Sequence, residues 1–316
     1  MTAESSPRLT AAALGLPDAP VEAGPADPAA HHVRAKLDRE IRALLAHEPG
    51  TRSGADPEDL HQMRVALRRM RSVLKLSGAL IGAGAEPVRA ELGWLGQSLG
   101  EVRDLDVLIG HLREVIADFE VRDQAAGRRL VSRFVTERAA AKRRLTRALS
   151  SARYSTLLRE VSLLAHDEER PAAASAKPHD LIAGLAKPHR RLAKAVRALP
   201  ADPSDDDLHA LRIHGKKLRY AAELAQTSAK KKQVARIRAL LEATKDFQTV
   251  LGDHQDAVII AERMRTVLDS GDDPGGPVGF VAGRIAEREL ARRTEARAAW
   301  RDSWAAVDAA AQALHA

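Results

Sequence analysis

Cysteine is absent from the 316 residues, and aromatic residues make up only 3% of them. The first absence excludes a disulfide framework and any thiolate metal centre, and it suits a reducing cytoplasm. No apolar run approaches the length of a membrane span, and the opening "MTAESSPRLT" lacks the apolar segment of a secretory signal. Alternating apolar–polar runs, the mark of half-buried strands, are missing as well. What remains is rich in Ala, Leu, Arg and Glu, residues that favour helix, so an all-α, soluble, cytoplasmic protein is expected. The formal net charge of +7 and a pI near 9.8 admit an anionic partner. Such a surplus is modest, so its distribution matters more than its size.

Along the chain, residues 1–27 are Ala/Pro-rich and weakly periodic, and are expected to form a flexible leader or linker. A helical pattern starts near Pro28 and is expected to stop at Pro49–Gly50. Asp56 then reads as an N-cap with Pro57 at the first helical position, and that helix should run to the Gly82–Gly84 break. Further helices are expected from after Pro87 to Asp118 and over residues 122–150, followed by the short apolar stretch "YSTLLREVSLLAH". Residues 167–178, "DEERPAAASAKP", read as a connection between a first repeat (28–166) and a second (179–316). The second has helices to about Leu199, from Ser204 to about Thr227, over 231–268, and towards the C-terminus. Four helices per half are expected.

Internal duplication is the strongest signal. "DLHQMRVALRRMR" at 59–71 returns as "DLHALRIHGKKLR" at 207–219, with His, Arg, Lys/Arg and Arg at relative positions 0, +3, +7 and +10. "LGEVRDLDVLI" at 99–109 returns as "LGDHQDAVII" at 251–260, and "RFVTERAAA" at 133–141 matches "GFVAGRIAE" at 279–287. The last match pairs Phe134 with Phe280 and Arg138 with Arg284.

On a helical wheel His61, Arg64, Arg68 and Arg71 fall within an arc of about 80°, and Lys75 joins them. Leu60, Met63, Leu67, Met70 and Leu74 occupy the adjoining arc. His209, Arg212, Lys216 and Arg219 repeat the arrangement beside Leu208, Leu211 and Leu218. A solvated face normally mixes signs; here each cationic row spans roughly 15 Å without a carboxylate on its arc. The rows call either for neutralising carboxylates on neighbouring helices, with Asp104, Asp106, Asp253 and Asp256 as candidates that would orient the arginines, or for an anionic ligand. Arginine grips phosphate oxygens in pairs, and a linear polyanion fits a long row better than a single phosphate ester does. Gly215 stands where the first repeat has Leu67, and a close backbone approach would account for it.

The strings "LHQMRVALRRMRS", "LGEVRDLDVL", "LHALRIHGKKLRYAAEL" and "LGDHQDAV" resemble the signatures of the CHAD domain, the conserved histidine α-helical domain, over roughly residues 28–314. The resemblance implies two four-helix bundles related by a pseudo-twofold with a basic central pore or groove, binding of inorganic polyphosphate, and association with polyphosphate granules. CHAD domains are often joined to CYTH triphosphatase domains, whose E-x-E-x-K motif does not occur here, so the chain reads as a CHAD domain alone. Carried over position by position, the basic residues fall on His61, Arg64, Arg68, Arg69 and Arg71 and on His209, Arg212, Lys216, Lys217 and Arg219. Arg138 and Arg284 join them from the last helices of their repeats. Arg103 is answered by Gln255 and Val102 by His254, so equal contributions from the two halves are not expected.

Other functions fit less well. Histidine phosphotransfer bundles want H-x-x-K-G, whereas this chain has H-Q-M-R-V and H-A-L-R-I. The HD pairs at His166–Asp167 and His179–Asp180 lie in the connecting region, and no helix face shows metal-ligand spacing. No enzymatic activity, cofactor or metal is therefore expected. Nucleic-acid binding would use the same cations, but Trp94, Trp300 and Trp304 sit in apolar helical patterns that suggest core, so stacking platforms are scarce.

Overall fold

The structure, a computed structural model, describes residues 10–166, 179–270 and 276–315. The described residues form helices and turns with no strand, so the fold is all-α. The helices are α1 (Ala29–Ser53), α2 (Pro57–Ser77), α3 (Ala85–Ala117), α4 (Val121–Leu149), α5 (Ala152–His166), α6 (His179–Ala183), α7 (Ala186–Arg197), α8 (Asp205–Thr227), α9 (Lys231–Asp269) and α10 (Pro277–His315).

Several helix limits differ from those the sequence suggests. α1 does not stop at Pro49 but continues to Ser53, where Gly54 closes it in the left-handed region. Proline removes one backbone donor, and tertiary contacts hold the turn that follows. Lys142 donates to the Thr51 carbonyl (2.7 Å) and Arg52 to the Leu149 carbonyl (2.6 Å). The stretch after residue 150 is a full helix, because Tyr154, Leu157, Leu158, Val161 and Ala165 line one face, which packs on α1. Residues 28–166 thus hold five helices where four were expected. The helix expected to reach Leu199 is broken between α6 and α7.

The flexible-leader expectation fails for residues 10–27. Leu14 and Leu16 are buried, Ser162 Oγ donates to the Leu14 carbonyl (2.8 Å), and Val21 N–H donates to Asp38 (3.0 Å). Two apolar side chains and a few anchors hold down a segment whose composition reads as linker. Residues 1–9 and the connection 167–178 lie outside the described residues.

The chain divides into two compact units. Unit 1 takes residues 1–104, 138–184 and 223–230; unit 2 takes 105–137, 185–222 and 231–316. Each unit draws on both sequence repeats, since α3, α4 and α8 each contribute to both. In unit 1 the core is built from Leu37, Ile41 and Leu44 of α1, Met63, Leu67 and Met70 of α2, and Leu92, Leu95 and Leu99 of α3. Unit 2 packs α9 along α10, burying Leu240, Phe247 and Met264 against Val281, Ile285 and Trp300. Each such side chain contributes about 1.5–3 kcal/mol on burial.

Asp56 caps α2 through the Glu58 N–H (2.8 Å), with Pro57 at the first position. That cap fixes where the helix starts, and so which way its basic arc faces.

Candidate anion-binding rows

In unit 1 the apolar stripe of α2 is buried while its neighbours His61, Arg64, Arg68 and Arg71 remain partly accessible and Lys75 is exposed. This is the flanking geometry the wheel gives. The arginines lie across a glycine shelf on α3. A Cβ on Gly100 would fall 2.6 Å from Arg64 Nη1, and Cβ atoms on Gly93 and Gly96 would meet the Arg71 guanidinium at 3.4 and 3.6 Å. Without side chains at these positions, the planar heads approach the helix backbone.

Of the three row arginines in unit 1, only Arg64 has a carboxylate at ion-pair distance among the described residues, Asp104 at 3.2 Å. Asp104 is largely exposed. The Nε atoms of Arg68 and Arg71 are shut from solvent without a hydrogen-bond partner among the described residues. Partial burial, and then the charge of Arg103, with smaller effects from Arg68 and Arg64, hold His61 below the usual imidazole range against the pull of Glu58. Burial first, and then the neighbouring cations, therefore disfavour the protonated form of the row histidine.

Arg69 turns the other way. It sits one residue off the arc and lies 3.7 Å from buried Glu40 and 3.5 Å from Glu223, so the structure does not bring it into the row.

In unit 2, His209 is exposed and Arg212, Lys216, Lys217 and Arg219 are partly exposed on α8. Gly252 repeats the shelf: a Cβ there would lie 3.5 Å from Arg212 Nη2. His209 Nδ1 lies 2.6 Å from Gln255 Oε1, and Arg219 Nη1 donates to Gln248 Oε1 (3.5 Å). Asp253 and Asp256 are exposed on α9. Asp205, at the start of α8, is gripped by Arg293 (2.9 Å) and Arg297 (3.2 Å) of α10 and lies 3.1 Å from buried His254. The row helix is thus anchored at its N-terminal end.

The sequence matches the CHAD domain family over residues 35–265, most of the chain. The chain belongs to the CHAD domain family. Its structure is similar to that of the CHAD domain from the plant Ricinus communis (TM-score 0.72, 24% identity, covering 93% of this chain and 95% of that one). It is also similar to PptA from Streptomyces chartreusis (TM-score 0.69, 21% identity, covering 88% and 99%). At those identities the likeness is one of fold. Uncharacterized proteins from two strains of Mycobacterium tuberculosis are 30% identical over 257 residues, 79% of this chain. The chain spans about half the length of these relatives, 47%.

The remaining candidates of this CHAD chain are dispersed. Arg284 is paired with Asp123 (2.6 Å) and lies over the Phe119 ring (4.2 Å). Arg138 lies in α4, whose last residues belong to unit 1, and is not on the helix that ends its repeat. Asp106 is half-buried on α3 in unit 2 and is engaged within the protein. The repeat partners Phe134 and Phe280 also diverge, the first buried and the second 57% exposed.

The nearest neighbours of Gly215 are side-chain atoms. A Cβ there would meet the Phe247 ring at 2.9 Å, whereas in unit 1 Leu67 fills the space over Gly96. The large and small partners have been exchanged between the repeats.

Of the tryptophans, only Trp300 is fully buried. Trp94 is partly exposed under the Arg153 guanidinium (4.2 Å), and Trp304 sits between His189 and Phe247.

Gln248 and the shelf glycines Gly93, Gly96, Gly100 and Gly252 join the rows without having been legible as site residues in the sequence. Gly100 and Gly252 occupy matching places in "LGEVRD" and "LGDHQD", a signal that was available but is hard to weigh without knowing what lies opposite.

Proposed function

We propose that this CHAD chain is a non-enzymatic module that binds inorganic polyphosphate through its two cationic rows. The observation that carries the reading is the concentration of positive charge in unit 1. Arg103, Arg68 and Arg64 act on His61, which burial first of all holds below the usual imidazole range, and Arg68 and Arg71 have no carboxylate partner among the described residues. Like charges held this close destabilise the fold unless an anion screens them. An anion that bridges several guanidinium groups relieves that cost and gains charge-assisted hydrogen bonds of about 1.5–3 kcal/mol each.

A linear phosphate polymer meets a row that continues for several helical turns. The family resemblance implies the same ligand. Arg64 and Arg212, each lying against its glycine, are the central phosphate contacts. Asp104 orients Arg64, and the histidines add donors. Association with polyphosphate granules in the cytoplasm follows as the cellular expectation.

Nucleic acid shares the phosphate chemistry, but Trp94, Trp300 and Trp304 are all engaged within the protein and offer no free stacking platform. Among the described residues there is also no cluster of His and carboxylate side chains able to hold a metal ion. Competition between long-chain polyphosphate and duplex DNA, at near-physiological and at high salt, tests the reading. Polyphosphate binding that DNA fails to displace and that weakens steeply with salt supports it. Equal competition by DNA would replace it with a general basic surface.

A further inference from the structure

The two rows differ at one repeat-matched position that lies beside the row histidine. Arg103 of α3 stands where α9 has Gln255. In unit 1 the Arg103 charge acts on His61, and Arg103 has no carboxylate at ion-pair distance among the described residues. In unit 2 an amide replaces that charge. Gln255 Oε1 accepts a hydrogen from His209 Nδ1 at 2.6 Å, which fixes the tautomer and engages the ring.

A second difference points the same way. Gly96 corresponds to Gln248. The Arg71 head lies over bare backbone, while Arg219 donates to the Gln248 amide oxygen. Arg212, Lys216 and Arg219 each take part in further contacts within the protein, whereas Arg68 and Arg71 have no carboxylate at ion-pair distance among the described residues.

We infer that the two rows are unequal: the unit 1 row is the tighter polyphosphate-binding segment, with Arg103 as an additional phosphate-contacting residue, and Gln255 sets the weaker affinity of the unit 2 row. The inference rests on the polyphosphate reading above. Its physical basis is exchange. A phosphate approaching unit 2 must replace hydrogen bonds the protein already makes, so the net gain is small. In unit 1 only Arg64 has a carboxylate to share, Asp104, while Arg68, Arg71 and Arg103 have none at ion-pair distance among the described residues. A guanidinium also makes charge-assisted, paired bonds that an amide does not.

Swapping the two residues tests this. The full chain is titrated calorimetrically with tripolyphosphate at several salt concentrations, beside Arg103→Gln, Arg103→Lys and Gln255→Arg, with circular dichroism confirming the helical fold of each. Arg103→Gln is expected to weaken binding about tenfold and to reduce the slope of affinity against salt by about one unit. Arg103→Lys keeps the charge and most of the affinity. Gln255→Arg is expected to tighten binding about threefold and to steepen the slope by about one unit.

Should Arg103→Gln fail to fold, Gln255→Arg decides alone, and no tightening overturns the inference. Wild-type binding with both swaps neutral overturns it while leaving the polyphosphate reading intact. A wild-type chain that binds neither tripolyphosphate nor long-chain polyphosphate overturns that reading, and this inference falls with it.

Discussion

Gly100 makes room for Arg64: any side chain at residue 100 would start 2.6 Å from the Arg64 Nη1 atom that also faces Asp104 at 3.2 Å. The contacted atom is the far end of a flexible side chain, so Gly100→Ala should push the guanidinium aside without disturbing the fold. Alanine gains about 1 kcal/mol of helix propensity over glycine. The expected outcome is a melting temperature unchanged or raised together with polyphosphate affinity reduced about tenfold. Thermal melts and a titration of the same protein separate the two effects.

Neighbouring arginines should behave oppositely. Arg69 lies near Glu40 and Glu223, and Glu40 is almost fully buried. Arg69→Gln leaves Glu40 with Lys36 (3.0 Å) as its remaining close cation, and should cost about 1–3 kcal/mol in urea unfolding with little loss of affinity. Arg68→Gln removes one of several crowded cations. It should leave stability equal or higher and weaken polyphosphate binding.

Exchange of large and small partners predicts a packing defect. Gly215→Leu, which restores the residue of the first repeat, drives a side chain into the Phe247 ring and should destabilise by about 1–3 kcal/mol. Adding Phe247→Leu, after the repeat counterpart Leu95, should recover part of that loss. A double mutant as unstable as Gly215→Leu alone would contradict the pairing.

Acid should destabilise the unliganded protein. Burial is the largest cause holding His32, His61, His166, His214 and His254 below the ordinary imidazole value. A histidine with a lowered folded pKa binds fewer protons folded than unfolded. Its contribution is therefore fully present above the unfolded value, about 6.5, and is lost as pH falls through the folded value. Melting temperatures should drop from pH 7.5 to pH 5.5. Bound polyphosphate pulls His61 the other way, so its affinity should rise over the same interval with proton uptake on binding, which calorimetry in buffers of different ionisation enthalpy detects.

The sequence made the helices and the rows legible because both depend on local spacing. Asp56–Pro57 places the start of α2, and the wheel then fixes which side chains flank Met63 and Met70. Long-range packing escaped it. Pro49 ends no helix because Lys142 and Leu149 hold the turn beyond it, and Leu14 is anchored by Ser162, far along the chain. Motif matching assigned Arg69 and Arg284 to the ligand, yet the carboxylates that claim them sit on other helices. The glycine shelf was invisible for a related reason: a missing side chain has meaning only once the guanidinium opposite it is placed.

The central claim is that affinity resides in the rows and not in net charge. Titration of long-chain polyphosphate into the Arg64→Gln/Arg212→Gln double variant, beside an Arg122→Gln/Arg197→Gln control, tests it most directly. Arg122 and Arg197 are exposed and off the rows, so both variants lose the same formal charge. The account predicts a loss of about a hundredfold for the row variant and a much smaller one for the control. Equal losses in the two would contradict it.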